Sequence, residues 1–119
     1  MTNYLLYLKN ISEAMVAAQA FVGGMGFDAF VVDDKTASAV LQKLKIVEEA
    51  AKKVPETIRQ DYPQVPWQQM ARIRDQIVHA YFAVDYAMVW DTLKIDIPSM
   101  QTVIQQILED MEEEQVHEQ

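Results

Sequence analysis

Apolar residues recur at three- to four-residue intervals along most of the chain. Leu5, Leu8, Ile11, Met15, Ala18 and Val22 form one stripe, and Ala37, Val40, Leu41, Leu44, Val47, Ala51 and Val54 form a second. That period is the helical one. It predicts a first helix from about Thr2 to Val22, stopped by Gly23-Gly24, and a second helix whose start is capped by Asp33-Asp34 after a short turn around Asp28 to Val32. Pro55, Pro63 and Pro66 confine residues 55 to 66 to a connector with room for one helical turn. A third helix is predicted from Trp67 to about Leu93, then a break at Ile95 to Pro98. The last helix has Pro98 in its first turn and buries Met100, Val103, Ile104, Ile107, Leu108 and Met111. There is no alternating strand pattern and no internal repeat. The pattern predicts an all-α fold, an antiparallel four-helix bundle with short extra helical turns.

The third helix carries more apolar surface than one core needs. At about 100° per residue, Met70, Ile73, Ile77, Tyr81, Val84 and Met88 fall on one stripe. Val78, Phe82 and Val89 make a second band about a quarter turn away, with Tyr86 and Trp90 near the opposite side. A helix that is apolar nearly all round is covered on more than one face. In a domain this small the expected cover is a second copy of the chain, so a homodimer with this helix near its interface is predicted.

The chain of 119 residues suits a single domain, 1–119, with a modest core. It contains no cysteine, which excludes disulfides and thiolate metal sites and fits a reducing cytoplasmic compartment. Ala14 to Gly24 imitates the apolar region of a secretion signal. Glu13 interrupts it and no basic segment precedes it, so a soluble cytoplasmic protein without a membrane span is expected. The net charge of −8 is concentrated in the acidic C-terminal tail, 109–119, where Glu109, Asp110, Glu112, Glu113, Glu114 and Glu118 face no Lys or Arg. Removing those six charges leaves −2 on the first 108 residues, so the total does not exclude a nucleic acid. The simplest reading of the tail is a solvated helix end.

The chemistry is concentrated in Arg-Asp-Gln-Ile-Val-His-Ala-Tyr, Arg74 to Tyr81. Histidine, with an unperturbed pKa of about 6.5, can take a proton from a ribose 2′-hydroxyl or return one to a leaving 5′-oxygen. Arginine stays charged and offers a planar fork of donors to a phosphate. The grouping therefore suits metal-independent cleavage of RNA. Metal binding is less attractive, because His79 has no second histidine nearby and His117 lies in the acidic tail. On spacing alone a structural histidine with a salt-bridged arginine is the simpler reading. The wheel adds a constraint: Arg74, Tyr81 and Asp85 cluster, while His79 sits about 140° from Arg74. A straight helix keeps the two apart, so the helix distorts between them, or Arg74 curls round it, or a second protomer completes the site.

The stretch RDQIVHAYFAVDYAMVW, residues 74 to 90, closely resembles the motif of HepT-like proteins of the HEPN superfamily: Arg, four residues, His, one residue, Tyr, then an aromatic, Val-Asp and a Val-Trp pair. YPQVPW at 62 to 67 resembles the family's Tyr-Pro-x-x-Pro-Trp connector, and LKIVEEAAKKVP at 44 to 55 its Gly-Glu-Ala helix. YLLYLKNI near the start and DIPSM after the third helix are similar as well, so the likeness spans about residues 4 to 100.

The resemblance implies a homodimeric helical bundle with a ribonuclease site in the cleft between protomers. It further implies an endoribonuclease toxin of a type II/VII-like two-gene module, whose antitoxin is a small nucleotidyltransferase of the MNT type. Arg74 then binds phosphate and stabilises the transition state, and His79 is the general acid or base. Tyr81 matches the tyrosine that in some members is modified with AMP by the partner, which would block and repel RNA. Asp85 matches the family's Val-Asp and is either an orienting residue for Arg74 or an exposed aspartate. RNA is the expected substrate, with no DNA, metal or cofactor. Two positions depart from the family: Asp75 replaces a frequent polar amide and could pair with Arg74 or repel phosphate, and Glu48 replaces a glycine and is expected to reach solvent. Trp67 and Trp90 read as packing anchors rather than base-stacking platforms. The alternative function is a non-catalytic helical dimer that binds a nucleotidyltransferase or a nucleotide.

Overall fold

A computed structural model describes residues 4–77 and 83–118. Helix α1 spans Tyr4–Phe21, α2 Phe27–Val32, α3 Asp34–Lys53, α4 Glu56–Asp61, α5 Trp67–Met70, α6 Ile73–Ile77, α7 Tyr86–Asp91 and α8 Ile97–Glu118, with a π-helical turn at Thr92–Asp96 joining the last two. There is no β-strand among the described residues, and the fold is an all-α bundle. No helix among them is long and apolar enough to cross a membrane.

The first two sequence stripes become the core directly. Leu8, Ile11, Met15, Ala18 and Val22 of the α1 region pack with Val40, Leu44, Val47 and Ala51 of α3, and Ile104, Ile107 and Met111 close the third side from α8. Gly24, at φ 81°, takes the left-handed conformation that turns the chain out of α1. Asp33 starts α3 as expected: its carboxylate accepts from the Thr36 backbone N–H at 3.0 Å and from the Thr36 hydroxyl at 2.8 Å. These bonds hold the Asp33 carboxyl below the usual carboxylate range, the backbone bond contributing most. Between α1 and α8 the Ser12 hydroxyl donates to Gln105 Oε1 at 3.5 Å, and the Gln19 amide bonds to Gln101. The rising numbers on α1 meet falling numbers on α8, so these two helices run antiparallel.

The predicted third helix, Trp67 to Leu93, is not one helix. The chain turns at Ala71–Arg72 between α5 and α6, and Asp85 is extended (φ −87°, ψ 92°) before α7 begins. The Asp85 carboxylate accepts from the Met88 backbone N–H at 3.0 Å, so it caps a new helix rather than continuing an old one. Its own N–H donates to the Ile77 carbonyl at 2.9 Å, which ties the start of α7 to the end of α6.

The restart changes the helical phase. Met88, predicted on the core stripe, is 40% exposed, while Val89 is 1% exposed and in the core. Fully burying an aliphatic side chain is worth roughly 1.5–3 kcal/mol, more than the few tenths that separate most helix propensities. Packing therefore chooses which face of α7 turns inward. Tyr86 and Trp90, predicted opposite the stripe, pack their rings on Phe30 of α2 at centroid distances of 6.1 and 5.4 Å.

The predicted break at Ile95–Pro98 is also absent. Backbone torsions stay helical through Asp91, Thr92 and Ile97, and the Ile97 N–H donates to the Thr92 carbonyl across a widened turn. Proline lacks the N–H and its ring crowds the carbonyl four residues back. A π turn immediately before Pro98 provides that room without ending the helix. The resulting rod from Tyr86 to Glu118 is about 50 Å long at 1.5 Å per residue, close to the 51 Å long dimension of the molecule.

Glu48 is a further correction. It does not reach solvent but is 5% exposed on α3, with Lys52 Nζ at 3.4 Å from its Oε1. The neighbouring Glu49 is exposed.

Candidate functional site

Arg74 lies on α6, a five-residue helix held against α3 by its apolar side chains Ile73 and Ile77, both in the core. Residues 73 and 77 are one turn apart, so they anchor one face, and Arg74 projects from the flank as a half-buried side chain. Arg74 forms no ion pair among the described residues. Its guanidinium is therefore available to an anion, and as a planar fork it matches two phosphate oxygens at once. Asp75 follows on the exposed side.

Asp85 returns the chain to the end of α6 through its bond to Ile77, three residues beyond Arg74. Asp85, expected as an orienting group or an exposed acid, caps α7 and is half-buried. His79 and Tyr81 lie outside the described residues, as do Val78 and Phe82 of the second apolar band. Ile77 and Asp85, which lie on either side of them in the chain, are joined by that one backbone bond.

The surrounding frame is built from aromatic packing. Phe27 meets Trp90 edge-on at 5.9 Å between centroids, and Lys94 Nζ stands 4.8 Å from the Trp90 ring centre. Trp67 is 7% exposed and its indole N–H donates to the Tyr62 carbonyl at 3.0 Å. Both tryptophans are packing residues, with little ring face free for a base. The Tyr62 phenol is pushed above its ordinary value, first by burial and then by Glu114 and Asp110 of α8. The acidic end of α8 thus runs beside the proline-rich connector.

Comparison with known proteins agrees with the motif. The family model described as "Ribonuclease HepT-like" matches residues 11–107 of the 119. The "Probable ribonuclease HepT" of Thermococcus cleftensis is 43% identical over 94 residues, covering 79% of this chain and 86% of that protein. Two proteins of Methanocaldococcus jannaschii, each named "Putative RNase", are 40% identical over 108 residues and 37% over 107. Those two alignments cover 91% and 90% of this chain, and 89% and 92% of the relatives. No solved structure matches the chain. A family match over residues 11–107, joined to identities of this size over most of each relative, places this chain in the ribonuclease HepT-like family of HEPN proteins.

Proposed function

We propose that the protein is a metal-independent endoribonuclease that uses Arg74 and His79 on RNA phosphodiesters. The observation that carries this reading is the family match across residues 11–107, which contains the whole Arg74, His79, Tyr81 motif. The absence of an ion-pair partner for Arg74 among the described residues supports it, since a guanidinium already neutralised would bind phosphate poorly. In the reaction His79 takes the proton of the ribose 2′-hydroxyl, the 2′-oxygen attacks phosphorus, and Arg74 stabilises the charge building on the non-bridging oxygens. The departing 5′-oxygen must gain a proton. A histidine in its charged form supplies it, so a second protomer's imidazole would let both transfers proceed in one cleft.

The same reading makes the chain a homodimer and the toxin of a two-gene module with an MNT-type nucleotidyltransferase antitoxin. Phe27, Val32, Met88 and Ile95 remain exposed on α2, α7 and the π turn, an apolar surface that a second copy would cover. Tyr81 is the proposed acceptor of AMP from the partner, and the adduct silences the nuclease by adding bulk and negative charge.

The test is expression of the wild type and His79→Ala in a bacterial host, with and without a nucleotidyltransferase encoded beside it, reading growth and RNA integrity. Growth arrest and RNA loss are expected only with His79 present and the partner absent. Equal harmlessness of both forms, with purified protein leaving RNA intact, would replace this reading by a non-catalytic dimer that binds the nucleotidyltransferase; exposed Asp75 beside Arg74 favours that second reading. Light scattering that finds a monodisperse monomer at micromolar concentration would refute the dimer.

A further inference from the structure

The chain has three arginines, Arg59, Arg72 and Arg74, and two of them line an open groove distinct from the position of Arg74. The groove lies between α4 and the α5–α6 turn, has a volume of about 390 Å³, and is lined by Glu56, Arg59, Gln60, Trp67, Gln68 and Arg72. That volume falls within the roughly 300–1,000 Å³ of small-ligand sites. Arg59 is held in place: its Nε donates to the Val54 carbonyl at 2.9 Å and its Nη2 to the Lys52 carbonyl at 3.2 Å. A guanidinium already fixed in this way has little side-chain freedom to lose when an anion arrives. Arg72 is exposed and forms no ion pair among the described residues. Gln60 and Gln68, both exposed, add neutral donors and acceptors that suit ribose hydroxyls and phosphate oxygens. Trp67 is too buried to stack on a base, so the groove offers a grip on the backbone of a strand rather than on its sequence. Glu56 is the opposing charge, one carboxylate among two guanidinium groups.

We propose that this groove is a second phosphodiester-binding subsite, which holds the backbone of single-stranded RNA at a nucleotide removed from the bond addressed by Arg74. The inference rests on the ribonuclease reading and names how that site engages its substrate. Arg72 lies on the α5–α6 turn and lines the groove, whereas Arg74 lies beyond it on α6 and does not, so the two take different phosphates of one strand. A strand held in the groove crosses the α5–α6 turn to reach Arg74. Longer RNA therefore gains affinity from the groove that a dinucleotide does not.

The experiment is fluorescence anisotropy with the full chain and a labelled 2′-O-methyl oligonucleotide of about twelve nucleotides, a length within common single-strand site sizes. The methyl group removes the attacking hydroxyl, so binding is read without cleavage. Arg72→Gln is expected to raise Kd about fivefold to tenfold and to flatten the dependence of log K on log salt by about 0.7, the increment for one phosphate of a single strand. Glu56→Gln is expected to tighten binding about twofold, and a labelled dinucleotide should not distinguish Arg72→Gln from the wild type. An unchanged Kd and salt slope in Arg72→Gln overturn the subsite, as does a wild type that does not bind the oligonucleotide. Cleavage of unmodified RNA is measured in parallel. Arg72-dependent binding without cleavage keeps the subsite and overturns the nuclease, and cleavage with Arg72-independent binding does the reverse.

Discussion

Helix α3 and the stretch from Trp67 to Leu93 look alike as sequences, since both show apolar residues at helical spacing over six or so turns. In the fold α3 is an unbroken 20-residue helix, whereas the second stretch is cut into α5, α6 and α7. Periodicity reports the face each turn presents, and it survives a break as long as every fragment buries something. α3 has a cap at Asp33 and one continuous wall, α1, to pack on. The second stretch packs α6 on α3 and α7 on α2, two different walls that one straight rod could not serve. Arg74 lies within this interrupted stretch, on the short helix α6.

The contrast can be broken experimentally, beginning with the largest effect. Arg74→Ala should lower RNA cleavage by about 10²–10³-fold with the melting temperature unchanged, because Arg74 has no ion pair among the described residues to lose. Arg74→Lys should recover little of it, since an ammonium lacks the two-pronged fork. A matching fall in melting temperature would make Arg74 a structural residue like those of α3.

The phase of α7 is tested by a pair of substitutions in urea unfolding. Val89→Ala should cost about 1–3 kcal/mol and Met88→Ala less than about 0.5 kcal/mol; the reverse order would restore the uninterrupted helix. Within α3, Glu48→Met should raise the urea midpoint, by about 1 kcal/mol of stability, because a carboxylate at 5% exposure with one lysine 3.4 Å away recovers little of its lost hydration. A loss instead would mean that the acid has a task that packing does not replace.

The smallest effect concerns the α3 cap. Asp33→Ala should lower the melting temperature at pH 7, and the difference from wild type should shrink on acidification. The folded carboxyl titrates below its unfolded value of about 3.9, so its stabilisation is full above that value and is lost as pH falls through the lower folded one. Thermal melts between neutral pH and about pH 2.5 check the sign; a pH-independent difference would remove the charged cap from the account.

Much of the bundle was legible in single residues: Gly23-Gly24 ending α1, Asp33 opening α3, the prolines confining α4 to one short element, and Ile104 and Ile107 facing inward. Three features were not. Asp85 reads as a mid-helix acid until its carboxylate meets the Met88 N–H, Pro98 reads as a stop until a π turn makes room for its ring, and Glu48 reads as solvated until α3 is seated. Each depends on a contact or a geometry that no local window contains. The groove too joins residues from separate elements, and the only local sign of it is that every arginine falls at positions 59, 72 and 74.

The sequence by itself determined the class of fold, the two long stripes and the Arg74, His79, Tyr81 motif with its family. These follow from side-chain period and residue identity, which are properties of the chain before it folds. Only tertiary structure decided that α6 and α7 are separate helices, that Val89 rather than Met88 faces the core, and that Arg59 and Arg72 share one groove. Those outcomes are set by which surfaces find walls to pack against, and burial of a few aliphatic side chains outweighs the local preferences that the sequence displays.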